Sequence, residues 1–237
     1  MNKILIAIPV RDTKEISSAW NDWMGLIYRN IVDEGLEVIV ETVVGEFYDT
    51  ARNKLVDYAI ENKFTHIFFI DDDIFIPMRG LQVLLESNKD VISFPAYAKE
   101  VPLKSNVFPN FYFFSIPKLP KNKVMKVDWV GTGCMLIRTS VFDKLEKPYF
   151  GAGVEVKDNL KGTKVSYKTS EDEFFCRKLR DVNVDVYVNT YDICEHLCRK
   201  QELFFPSLNK LEPDGSVVYG GFFDVWLKED EGEMKNE

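Results

Sequence analysis

Three consecutive aspartates, Asp71, Asp72 and Asp73, interrupt the apolar run HIFFIDDDIFIP at residues 66–77. Neighbouring carboxylates repel one another and are costly to desolvate, so at a strand end they must face solvent, hydrogen-bond donors or a cation. A hard divalent cation takes one or two carboxylates and completes its shell with water or phosphate oxygens. In extended geometry Asp71 and Asp73 share a side, so they are the expected ligand and ribose or metal-water contact. Asp72 points away and is expected to be the most replaceable of the three. A solvated acidic turn is the alternative that the triplet alone leaves open.

Further along, SEDEF at 170–174 offers Glu171 and Asp172, either of which could serve as a general base toward a hydroxyl. The same residues read as a helix start, because Ser170 with Glu173 forms a capping box and acidic side chains favour the N-terminal dipole. Histidine is scarce: His66 opens the apolar strand and reads as a packed residue, whereas His196 in ICEHLCRK lies among polar residues and could complete a metal site. Cys194 and Cys198 flank it, but the four cysteines form no paired spacing that would close a structural zinc site. Arg11 and Arg52 lie near predicted strand ends, where either could meet phosphate or ribose.

The elements that must position these residues alternate. KILIAIPV at 3–10 has the continuous apolar character of a strand covered on both faces. Trp20, Met24, Ile27 and Ile31 recur at helical spacing, and Gly35 is a helix stop before the strand LEVIVETVV at 36–44. Asp49 or Thr50 can cap a helix with the stripe Ala51, Leu55, Tyr58 and Ala59, followed by the strand that delivers the aspartates. A helix at 81–87 and a strand DVISFPAY follow. Strands alternating with helices predict a parallel, helix-covered sheet, in which ligands sit beyond the carboxyl ends of the strands. Residues 95–127 loosen into a proline-punctuated segment that could wall a site or simply connect. Regular structure resumes with the strand CMLI after VGTG, a short helix capped by Ser140, a helix at 170–180 and, over 184–197, a strand running into a loop.

The 237 residues, 46% hydrophobic and 14% aromatic, suffice for one large core, and a net charge of -8 argues against a broad nucleic-acid-binding surface. The reading places one domain over 1–227 and an acidic tail over 228–237. The opening residues read as a first strand, since Arg11-Asp12 replaces a leader's cleavage site. No apolar run approaches the roughly 18 residues needed to span a bilayer, so no transmembrane segment is expected. Reduced thiols in a cytoplasmic setting are the default expectation.

Taken in order, IPV at the first strand end, ARNKLVDYA before FFIDDDIFIP, then VGTGCMLIRTSVF, SEDEFFCRKL and EHL resemble the nucleotide-sugar glycosyltransferases of the GT-A fold, in a family-2-like pattern, across roughly residues 3–200. The order and spacing carry the likeness more than any one motif. The resemblance implies an α/β, Rossmann-like, three-layer α/β/α sandwich with a mostly parallel central sheet. It implies a UDP- or GDP-sugar donor, a glycan, lipid or protein hydroxyl acceptor, and Mn2+ or Mg2+. It places Pro9, Arg11, Arg52 and the aspartates Asp71 to Asp73 around the donor. Trp129, Thr132 and Gly133 fall in the sugar and acceptor region. Asp172, with Glu171 beside it, falls at the base of inverting members, and Asp71, Asp73 and His196 fall at the metal. Two departures are visible: Asn183 stands where the turn after the SEDEF helix usually carries glycine, and the second strand lacks a clear aspartate for the base of the nucleotide. Phosphoryl transfer or hydrolysis at the aspartates, and glycan binding without turnover through the aromatic 95–127 segment, are the rival readings.

Overall fold

The apolar run near the start folds as strand β1, Lys3–Val10, and from Ile4 onward every residue in it is buried. That burial is possible because β1 is flanked in parallel by β2, Glu37–Val44, and by β3, His66–Ile70. This computed structural model describes residues 2–13, 16, 18–96, 105–108, 119–158, 164–198, 203–204, 209–211 and 216–219. Residues 97–104 and 109–118 of the proline-punctuated segment, and the 228–237 tail, lie outside them.

Helix α1, Ser18–Asp33, buries Trp20, Ile27 and Ile31 as their spacing predicts. It stops at Gly35, whose φ of 75° is left-handed and which is followed by a Leu36 amide bonded back to the Ile31 carbonyl at 3.3 Å. Helix α2, Tyr48–Glu61, starts before the expected cap, after Phe47, with no side-chain cap. Asp49 therefore sits inside the first turn, where its carboxylate accepts the Thr50 amide at 2.7 Å.

After β3 come β4, Ile74–Phe75, α3, Gly80–Glu86, and β5, Val91–Ser93. The short strands β6, Val107–Phe108, and β7, Leu119–Pro120, precede β8, Val124–Val127, β9, Trp129–Val130, and β10, Cys134–Arg138. Ser140 lies within a 3-10 turn, Thr139–Lys144, and does not cap an α-helix. The hairpin β11, Gly153–Asp158, with β12, Lys164–Thr169, leads into α4, Glu171–Asp181, then β13, Val186–Asn189, and β14, Glu195–Cys198. The expected strand running into a loop over 184–197 is thus β13 and a loop, with the further strand β14 after it. Beyond it lie β15, Leu203–Phe204, β16, Asn209–Leu211, and β17, Ser216–Tyr219.

The central sheet has seven strands in the order β2-β1-β3-β10-β5-β13-β8. Only β10 and β8 run against the others, so the sheet is mostly parallel. The reversed β10 was not foreseen, and it matters: with Cys134 opposite Ile70, its leading loop emerges at the same edge as the carboxyl end of β3. Two apolar clusters cover opposite sides of the strands. Alternate residues such as Leu5, Ile67, Phe69 and Met135 pack with Leu55 and Ala59 of α2 and with Phe175 and Leu179 of α4. The intervening Ile4, Ile6, Phe68 and Leu136 pack with Ile27 and Ile31 of α1 and Leu81 of α3. No helix of the described residues is long and apolar enough to cross a membrane.

Candidate active site

Strand β3 ends at Ile70, and the aspartates form a turn, closed by the Ile74 amide on the Asp71 carbonyl at 3.1 Å. Strand alternation therefore does not continue through them. Asp72 is 1% exposed, whereas the Asp71 and Asp73 side chains keep 23% and 15% of their surface. The turn is fixed from the α1 side, where the indoles of Trp20 and Trp23 donate to the carbonyls of Ile74 and Ile76 at 2.9 and 3.0 Å.

Arg52, in the second turn of α2, is also 1% exposed and so is no surface arginine. One terminal nitrogen donates to Asp71 Oδ1 at 2.8 Å, the other to Glu171 Oε1 at 2.9 Å. Tyr48 and Phe69 lie 5.5 and 5.8 Å from the guanidinium carbon. The resemblance sets Arg52 beside the donor, and here both of its terminal nitrogens are engaged by carboxylates. Burial works against its charge, but Asp71, Asp172 and Glu171 outweigh that and raise its proton affinity.

Helix α4 begins as SEDEF predicts: Ser170 Oγ accepts the Glu173 amide at 3.2 Å, and Asn183 takes the left-handed φ of 57° after the helix. Glu173 is spent on a buried pair with Arg177 at 2.9 Å. Glu171 and Asp172, in contrast, face the aspartates. Burial raises the Glu171 carboxyl, Asp172 adds to the rise, and Arg52 opposes it. Burial likewise pushes Asp71 up to about 7 against the pull of Arg52, with Asp73, Asp172 and Glu171 adding to it.

The loop before β10 threads between these groups. Thr132, fully buried, gives its hydroxyl to Asp172 Oδ1, and its amide donates to the same oxygen at 3.3 Å. A Cβ on Gly133 would lie 2.7 Å from Asp71 Oδ2, so only glycine allows this approach. Trp129 is half-buried and stacks on Phe108 at 3.5 Å.

Strand β14 pairs with β4 so that His196 stands opposite Ile74, and its Nε2 lies 3.8 Å from Asp73 Oδ1. No group of three metal-ligating side chains converges among the described residues. Asp73 and His196 are oxygen and nitrogen donors of the kind a divalent ion takes, while Asp71 is held by Arg52. Cys194 is buried against Cys134, while the Cys198 side chain lies outside the described residues. Pro9 is buried within β1, and Arg11 is exposed just past its end, 5.7 Å from the Phe47 ring.

No family model and no curated protein matches the chain. Solved structures do: A197 from STIV aligns at 16% identity and a TM-score of 0.53, covering 92% of this chain and 95% of its own. A glycosyltransferase involved in the glycosylation of the major capsid of PBCV-1 aligns at 11% identity and a TM-score of 0.38, covering 84% and 96%. The first likeness establishes a shared fold; the second is too distant to carry an argument. The protein is a mixed α/β fold with a seven-stranded, mostly parallel central sheet, compatible with a Rossmann-like fold.

Two buried groups oppose each other in acid. His66, 5% exposed, is packed as expected, and burial, then Arg138, lowers it from 6.5 to about 4. Its contribution to stability is present above 6.5 and is lost as pH falls toward 4, because the unfolded chain takes up the proton first. Asp71, raised from 3.8 to about 7, contributes in full below 3.8, and that contribution is lost as pH rises toward 7. Each effect is on the order of 3–4 kcal/mol, so the wild-type profile between them is shallow. H66Q removes the first, and its urea midpoint should fall steeply as pH rises from 4.5 to 6.5; a profile parallel to wild type would refute the assignment.

Proposed function

We propose that this chain is a GT-A type, three-layer glycosyltransferase that moves a sugar from a UDP- or GDP-sugar to a hydroxyl of a glycan, lipid or protein acceptor, with inversion at the anomeric carbon. The observation that carries this is charge. Arg52 interacts with Asp71, Glu171 and Asp172, and Asp71 also feels Asp73, so three carboxylates from the β3 turn and the start of α4 gather around one buried guanidinium with a fourth beside them. Such a surplus suits a divalent cation that arrives with a diphosphate. The ordered motifs from IPV to EHL support the same reading.

Asp73 and His196 would hold Mn2+ or Mg2+, which neutralises the departing diphosphate. Arg11 supplies an exposed cation at the carboxyl end of β1 for phosphate or ribose. Asp172 takes the acceptor proton as the hydroxyl oxygen bonds to the anomeric carbon and the carbon–diphosphate bond breaks.

UDP- and GDP-sugars offered with Mn2+ or Mg2+, with and without chelator, test this by nucleotide binding, nucleotide release and the anomeric configuration of the product. Chelator-sensitive binding, weakened in D73N and H196A, and an inverted product are expected. Failure of every nucleotide-sugar to bind with either metal, or release of phosphate in place of sugar transfer, would overturn it.

A further inference from the structure

We infer that Thr132 positions Asp172 for proton abstraction, committing one carboxylate oxygen so that the other receives the proton; this rests on the transferase reading above. The hydroxyl and amide of Thr132 both donate to Oδ1 of Asp172, and among the described residues no hydrogen bond reaches Oδ2. Two donors on one oxygen fix the rotation of the carboxylate, so Oδ2 presents a defined lone pair to an incoming hydroxyl.

Thr132 can act this way because the loop cannot shift. The Gly131 amide donates to the Asn106 backbone carbonyl at 3.1 Å, and a Cβ on Gly131 would lie 2.5 Å from the Asn106 side-chain Nδ2. On the other side, the Gly133 carbonyl accepts the Asp71 amide at 3.0 Å. The base is thereby referenced to the backbone of the aspartate turn, which sets the distance between the group that activates the acceptor and the residues that hold the donor. Glu171, one residue away, has its Oε1 bonded to the Arg52 guanidinium and not to the loop before β10.

In the step, the acceptor O–H bond breaks and its proton passes to Oδ2. The oxygen pair forms the new glycosidic bond, and the nucleoside diphosphate leaves with the electrons of the old one. A threonine that merely stapled the loop to α4 would matter for stability and not for this step.

The test compares T132V, which keeps the shape and loses the hydroxyl, with T132S, which keeps the hydroxyl. T132V should lower kcat by about 10- to 100-fold, the scale of a small misplacement of a reacting group, with donor KM near wild type. T132S should recover most of that loss. Should T132V fail to fold, T132A takes its place with the same expectation. The inference is overturned if T132V retains kcat, if T132S is equally impaired, or if the kcat loss is matched by a loss of donor affinity and Tm. A wild type inert toward every nucleotide-sugar removes the transferase reading and this inference with it, so the wild-type control separates the two failures.

Discussion

Asp172→Asn should abolish most sugar transfer while leaving the donor bound. Loss of a general base lowers turnover by about 10²–10⁴-fold, and the substitution keeps the size of the side chain and an oxygen that Thr132 can still address. Metal-dependent nucleotide binding depends on Asp73 and His196 in this reading and should stay within a few-fold of wild type, about the noise of such measurements. Glu171→Gln is the informative neighbour. Its carboxylate is a partner of buried Arg52, so its loss should appear chiefly in stability, with a smaller effect on kcat. Should E171Q be the more damaging to kcat, the base would be Glu171 and the assignment would reverse. Single-turnover transfer with saturating donor, together with direct nucleotide binding, distinguishes the outcomes.

The two carboxylates of SEDEF show how far local sequence reaches. The cap at Ser170, the helix after it and the left-handed Asn183 depend on contacts within a few residues, and all were legible. The same holds for the stripe of α1 and the stop at Gly35. Which of the pair meets Arg52 and which meets Thr132 depends on partners 119 and 40 residues distant, and no local pattern encodes that. Likewise the reversal of β10 is a tertiary choice: CMLI reads as a buried strand in either direction, yet only the antiparallel one brings VGTG to the aspartates. Period-two alternation stops at Ile70, where the chain enters a turn, so which of the three aspartates is buried follows from that turn and not from strand geometry. The glycines of VGTG were the signal that came nearest, since paired glycines around a polar residue before a strand mark close backbone approach, although what they approach was not readable.

Arg52 gives the second large effect, and it separates two roles. If the guanidinium bound the donor, its removal would weaken nucleotide binding and leave the fold intact. Buried between Asp71 and Glu171, it should behave differently: Arg52→Met leaves two carboxylates inside the protein without their cation, which costs about 3–5 kcal/mol when one partner of a buried pair is removed. For a chain of this length that corresponds to a fall in Tm of about 6–20 °C. The pH dependence fixes the cause. Without Arg52 the folded-state affinities of Asp71 and Glu171 for protons rise further, since the guanidinium is what opposes burial at both. The folded variant then binds more protons than the unfolded chain, so its stability contribution is regained as pH falls and lost as pH rises. The deficit of R52M relative to wild type should therefore be largest near pH 8 and shrink toward pH 5 in parallel urea titrations. A deficit that is constant with pH, or that widens in acid, would mean that Arg52 stabilises the fold by packing on Tyr48 and Phe69 and not as the internal counter-ion of the site.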